Sequence, residues 1–226
     1  MAWKNDQVSA LETEFILKTA RECLDISGDF VELGCYKGDT SLALAELLTG
    51  SDKKLWIYDS FEGLPEKTAF DASVLGENFV KGALMVSKRE VKERFLRAGL
   101  RVPVIKKGWF SEFSSEDLPD EIAFCFLDGD FYESIKDGLK LVWDKMAKGG
   151  VLIIHDYNNP ELPGVRGAVD EWVLSHPCRL RVVETCVVLN FAHSRKSILS
   201  LLVTAATKIS RLYIRYKNER RRSVWK

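Results

Sequence analysis

Apolar positions recur along this chain in two alternating rhythms. Over residues 9–25, Leu11, Phe15, Thr19 and Cys23, with Ala20 and Leu24 beside them, fall on one helical face. Ser9 followed by Glu12 makes a capping-box start, and Gly28 ends the segment. Phe30, Val31 and Leu33 then surround Glu32 in a short apolar run closed by Gly34, the pattern of a buried strand. The alternation continues with a helix over 39–48, a strand over 55–58 and a helix over 87–98 behind a Ser87/Glu90 capping box. Strands over 102–105 and 122–127, a helix over 133–146, a strand over 151–154 and a helix over 165–174 follow. Two strands over 180–183 and 186–191 close the series.

Apolar strands separated by amphipathic helices predict an α/β fold. The expectation is a doubly wound, mostly parallel seven-stranded sheet with helices on both faces. One connection breaks the rhythm. Residues 60–86 carry Pro65 and glycines at 63, 76 and 82, and so long a loop in a compact domain predicts a lid or binding loop.

Charge alters the picture in one place. The 226 residues hold 33 Lys/Arg and 33 Asp/Glu, so overall basicity does not point to nucleic acid. Residues 195–226, however, hold ten Lys/Arg against a single acid, Glu219, which leaves residues 1–194 acidic. In that tail Ile198, Leu202, Ala205, Ile209, Leu212 and Tyr216 recur at helical spacing, with Lys208, Arg211, Arg215, Lys217 and Arg220 to Arg222 along and beyond the stripe. Two expectations stand side by side. One is an interfacial helix drawn to anionic lipid at the inner face of the membrane. The other is a helix docked on the acidic body or on a second copy in a homo-oligomer. The five cysteines form no CxxC pair and the first twenty residues lack an apolar leader core, so a reducing cytoplasm is expected.

In a doubly wound sheet, ligands sit beyond the carboxyl ends of the strands. After the first strand, Glu32, Gly34 and Gly38 precede a helix start, an arrangement that lets backbone approach a small ligand. The glycine spacing is G-x-x-x-G, so the dinucleotide fingerprint fails. After the second strand comes Asp59, placed to accept hydrogen bonds from ribose hydroxyls. After the fourth come Asp128 and Asp130, and after the fifth His155 and Asp156. Adjacent fourth and fifth strands would bring these groups together around a divalent cation. Carboxylates alone suit Mg²⁺, and His155 tilts the set towards Mn²⁺, Fe²⁺ or Zn²⁺. His176 and His193 lack partners at ligand spacing and read as structural, and Cys23, Cys125 and Cys186 read as core.

The set V-E-L-G-C-Y-K-G, Y-D-S-F-E-G-L-P, K-G-W-F, F-L-D-G-D-F-Y-E-S and G-G-V-L-I-I-H-D-Y resembles the macrocin O-methyltransferase family over roughly residues 24–172. The resemblance implies a Rossmann-like methyltransferase domain over 1–194, followed by the basic tail over 195–226. Gly34, Tyr36, Gly38 and Thr40 would hold the methionine moiety of S-adenosylmethionine, with Glu32 shaping that end. Asp59, followed by Ser60, would take the ribose, and Gly108 and Trp109 would lie by the adenine. Asp128, also close to the cofactor, would bind metal (Mg²⁺ or Mn²⁺) with His155 and Asp156, and Asp128 or His155 would serve as general base. Where this chain has His155 the family usually has Asp, which removes one hard anionic ligand.

The function so implied is metal-assisted methylation of a hydroxyl on a sugar, glycoconjugate or other natural product. The first motif also resembles catechol O-methyltransferase, whose members carry lysine three residues after the metal Asp, where this chain has Phe131. That makes a small-phenol enzyme the second reading. A catalytically silent cofactor-binding module, with His155 as the sign of decay, is the third.

Overall fold

The computed structural model describes residues 7–176 and 178–191, and the basic tail with both of its expected roles lies outside them. In chain order the elements are α1 (Ala10–Glu22), β1 (Asp29–Leu33), α2 (Asp39–Leu47), β2 (Leu55–Asp59), α3 (Lys88–Ala98), β3 (Val104–Lys107), β4 (Ile122–Leu127), α4 (Tyr132–Val142), β5 (Met146–Ile154), α5 (Pro163–Ser175), β6 (Arg179–Val183) and β7 (Cys186–Asn190). The seven strands form one sheet in the order β3-β2-β1-β4-β5-β7-β6, with β7 antiparallel to both neighbours and the β1–β5 pairings parallel. The doubly wound, mostly parallel expectation holds, and the order reverses between β1 and β4, where such sheets bind ligands.

Local chemistry explains where the elements begin and end. Ser9 and Glu12 close a reciprocal capping box on α1, and Ser87 and Glu90 do the same on α3. Gly99 ends α3 in the left-handed conformation. The third strand lies at Val104–Lys107, two residues later than the pattern suggests, because Pro103 offers no N–H to the ladder. The helix expected over 133–146 stops at Val142, and Met146 already pairs with Ile122 across an irregularity that lets β5 start early. Pro163 opens α5 at its first position, where a missing N–H is harmless.

Each face of the sheet buries its own core. Ile16 and Ala20 of α1, Leu42 and Leu44 of α2 and Val91 and Phe95 of α3 pack with Phe30, Ile57 and Phe124 on one side. Ile135 and Leu139 of α4 and Val165 and Val169 of α5 pack with Leu33, Tyr58 and Leu127 on the other. The long loop is pinned in place. Asp71, nearly fully buried, accepts hydrogen bonds from Thr68 and from the backbone N–H of Tyr132 at the start of α4. Ser73 donates to the carbonyl of Pro160, and Phe70 stacks on Tyr132 at 4.1 Å. The loop is thereby a built wall of the site.

Candidate functional site

The parallel register turns four separate strand ends into one rim. Leu33 stands beside Tyr58 and Leu127, and Leu127 beside Ile154. Backbone bonds carry this ladder one residue further: Gly34 N–H donates to the Tyr58 carbonyl (2.8 Å), Asp128 N–H to Leu33 (2.8 Å) and His155 N–H to Leu127 (3.0 Å). Gly108 N–H donates to the carbonyl of Asp59 (2.9 Å) on the β2 side. Beyond the rim opens a cavity of about 320 Å³. Glu32, Gly34, Tyr36, Thr40, Asp59, Ser60, Gly108, Trp109, Asp128, His155 and Asp156 all line it, while Gly38 caps α2 immediately behind them. Four non-glycine residues with positive φ sit on this edge: Tyr36, Phe61, Asp130 and Asp156, one after each of β1, β2, β4 and β5. Each costs about 1–2 kcal/mol, and strain of this kind gathers at functional sites.

The β1–β2 side is built largely from backbone. One Asp59 carboxylate oxygen accepts the N–H groups of Cys35 (2.8 Å) and Tyr36 (3.3 Å), and the other accepts that of Phe61 (2.7 Å). Asp59 therefore fastens the β1–α2 turn to β2, with lone-pair capacity left over. Ser60 spends its hydroxyl on its own turn, donating to Gly63 and accepting from Glu62. Glu32 is buried at the cavity floor and accepts from the Ser41 hydroxyl. Burial, reinforced by the charges of Asp128, Asp59 and Asp39, pushes its carboxyl up to about 8 against the Ser41 bond. Cys35 packs in the same turn, its thiol raised by burial and so not a nucleophile.

The β4–β5 side is built from side-chain charge. His155 Nδ1 lies 3.2 Å from Asp128 Oδ1 and 3.1 Å from Asp156 Oδ2. Burial disfavours an imidazolium there, but the Asp128 carboxylate bonded to the ring, with Asp156 and Glu12 also facing it, outweighs burial and holds the ring well above its usual range. The Asp130 carboxyl is also pushed up: burial, then the charges of Asp128 and Asp156, keep it protonated well above the normal range. The oxygen and nitrogen donors of Asp128, His155 and Asp156 lie within 4.8 Å of one another and face the cavity. Two carboxylates and one imidazole at that separation suit a divalent cation of the Mn²⁺, Fe²⁺ or Zn²⁺ type, with the Nδ1 proton released on binding.

Residues that spacing did not single out also reach the site. Asp39 lines the cavity and is held by Arg94 at 2.6 Å, and Asn159 donates to Asp156 at 2.9 Å. Glu12, which the sequence marks only as a capping acid, lies behind His155 with Oε2 3.9 Å from Nε2. His176 stacks on Trp172 away from the cavity, as a structural histidine would.

The sequence matches the family described as macrocin O-methyltransferase over residues 14–184. It is 33% identical over 140 residues to an 8-demethyl-8-(2,3-dimethoxy-alpha-L-rhamnosyl)-tetracenomycin-C 4'-O-methyltransferase of Streptomyces olivaceus, covering 58% of this chain and 54% of that protein. It is 29% identical over 178 residues to the demethyldecarbamoylnovobiocin O-methyltransferase of Streptomyces niveus, covering 69% and 64%. The chain thus spans between half and two thirds of the length of these curated relatives. Among solved structures, the O-methyltransferase NovP superposes with a TM-score of 0.68 at 26% identity, over 78% of this chain and 79% of that one. The calicheamicin methyltransferase CalS11 superposes with a TM-score of 0.67 at 19% identity over 82% of each, a likeness of fold.

Proposed function

The chain belongs to the macrocin O-methyltransferase family, and on that premise we propose that it transfers a methyl group from S-adenosylmethionine to a hydroxyl of a glycosylated natural product. The observation that carries this reading is the convergence of Gly34, Asp59, Gly108 and Asp128 on one cavity at the switch point of the sheet. The sugar acceptor is supported by the rhamnosyl substrate in the name of one relative. Phe70, Val74, Leu75, Val80 and Met85 are exposed on the loop that walls the cavity, which favours an acceptor with an apolar aglycone over a free sugar.

In this reading the Gly34–Gly38 turn and the amino end of α2, where Tyr36 and Thr40 stand, would hold the methionine end of the cofactor. Asp59 would take the ribose with its remaining lone-pair capacity, and Gly108 and Trp109 would border the adenine. The cofactor supplies an electrophilic methyl on a cationic sulfonium: one O–C bond forms, one S–C bond breaks, and S-adenosylhomocysteine leaves. Asp128 accepts the hydroxyl proton at the cavity wall, while His155, itself held by Asp156, fixes its carboxylate. Asp128, His155 and Asp156 would also hold a divalent cation, which would lower the pKa of the hydroxyl and orient it. Most of the remaining rate comes from aligning oxygen, methyl and sulfur and from excluding water behind the loop wall.

The test is incubation of the full chain with ¹³C-methyl-labelled cofactor and a panel of rhamnosylated polyketides and aminocoumarins, read by NMR. The expected product carries the label as a methyl ether on a sugar carbon. Label on a phenol would favour the catechol-type reading. No transfer by a protein that binds S-adenosylhomocysteine would leave only the silent binding module.

A further inference from the structure

A buried carboxylate sits where no step of the mechanism uses it. Glu12, 5% exposed, reaches from α1 to the back of the site, opposite the cavity. Its Oε1 accepts from the N–H and hydroxyl of Thr185 in the β6–β7 turn, and its Oε2 accepts the N–H of Ser9 at 3.0 Å. The same Oε2 faces His155 Nε2 at 3.9 Å, while Nδ1 on the other side of the ring faces Asp128 and Asp156. The two ring nitrogens therefore look in opposite directions, one at a fixed buried anion and one at the open site.

We propose that Glu12 is a positioning residue for the cation site: its carboxylate keeps a proton on His155 Nε2, so that Nδ1 is presented with Asp128 and Asp156 to a divalent cation of borderline softness. The inference rests on the cation reading above. A ligating histidine as a rule gives its other N–H to a carboxylate or carbonyl, which fixes the tautomer and strengthens the ligand. At 3.9 Å the contact is electrostatic, and between two buried groups such a charge is poorly screened. Three anchoring bonds, from Ser9 and twice from Thr185, keep Glu12 from swinging away. An imidazole ligand with a carboxylate behind it favours Co²⁺, Mn²⁺ or Zn²⁺ over Mg²⁺. An aspartate at position 155 would instead set two buried carboxylates against each other. Glu12, His155 and Cys186 also bring ligand atoms within 4.8 Å of one another. Burial holds the Cys186 thiol up at about 12 and both Glu12 oxygens are engaged, so that trio does not make a competing site.

The experiment titrates the full chain, saturated with S-adenosylhomocysteine, with cobalt(II) followed by its d–d absorption and with magnesium by calorimetry. Wild type should bind cobalt at least about tenfold more tightly than magnesium. Glu12→Gln should weaken cobalt by about 10–100-fold, the range for such supporting carboxylates, with magnesium and homocysteine-cofactor affinities little changed. Thr185→Val, which keeps the carboxylate, should lower the melting temperature yet preserve the cobalt-to-magnesium ratio. If Glu12→Gln does not yield folded protein, Glu12→Asp, with its charge at longer reach, should show an intermediate ratio. An unchanged ratio in either Glu12 variant overturns the role of Glu12 and leaves the cation reading standing. Failure of wild type to bind either ion overturns both.

Discussion

The two halves of the cavity are built by different means. On the β1–β2 side, shape comes from backbone: Asp59 gathers three N–H groups and Gly34 brings the chain against β4. On the β4–β5 side, shape comes from charge: one imidazole sits among three carboxylates, one of which arrives from α1. A backbone-built pocket tolerates little change in residue size. A charge-built pocket tolerates size but depends on who supplies the counter-charge. The first suits a cofactor of fixed shape, and the second suits chemistry in which a proton moves.

The largest effect is expected where the two halves touch. A Cβ on Gly34 would lie 1.9 Å from the Asp128 carbonyl oxygen, and the residue has φ +84°. Gly34→Ala should therefore cost more than about 4 kcal/mol, the range of exceptional single substitutions, and soluble folded protein should be lost. A denaturation midpoint close to wild type would show that the halves are not joined there. Next in size, Asp128→Asn should reduce methyl transfer by about 10²–10⁴-fold, the usual worth of a positioned general base. An unchanged rate would remove proton transfer from that side.

A smaller effect, read through pH, probes the one buried acid beneath the backbone-built half. Glu32 titrates near 8 in the folded chain, against an ordinary value of 4.5. Between those values the folded state binds the extra proton, so stability falls as pH rises from about 4.5 to about 8. Glu32→Gln removes this slope. The melting-temperature difference, variant minus wild type, should grow across that window by the equivalent of up to a few kcal/mol. A constant difference would show that Glu32 is not held protonated.

The same contrast explains what could be read in the chain. Gly34, Gly38 and Asp59 announce themselves because a tight strand–helix turn needs glycine and a strand end needs an acid at one place in sequence. The adjacency of β4 and β5 followed from alternating apolar runs in a doubly wound sheet, and with it the meeting of His155 with Asp128 and Asp156. Glu12 was visible only as a capping acid, because its second contact spans 143 positions and depends on how α1 packs under β5. Its only local signal is burial of a charged helix residue, which spacing does not reveal. The early start of β5 was hidden for a similar reason: Gly149 and Gly150 interrupt the apolar run, and the irregular pairing with β4 absorbs them. The third strand was misplaced by two residues because the apolar run crosses Pro103, whose missing N–H the pattern ignores.

The division of labour is tested most directly by calorimetric titration of S-adenosylhomocysteine, in EDTA, into wild type, Asp59→Ala and Asp128→Asn. Wild type and Asp128→Asn should bind with affinities within about threefold of each other, and Asp59→Ala should lose roughly 2–4 kcal/mol with its charged hydrogen bonds. Equal affinity in wild type and Asp59→Ala, or loss of binding in Asp128→Asn, would contradict a cofactor seat on the β1–β2 side.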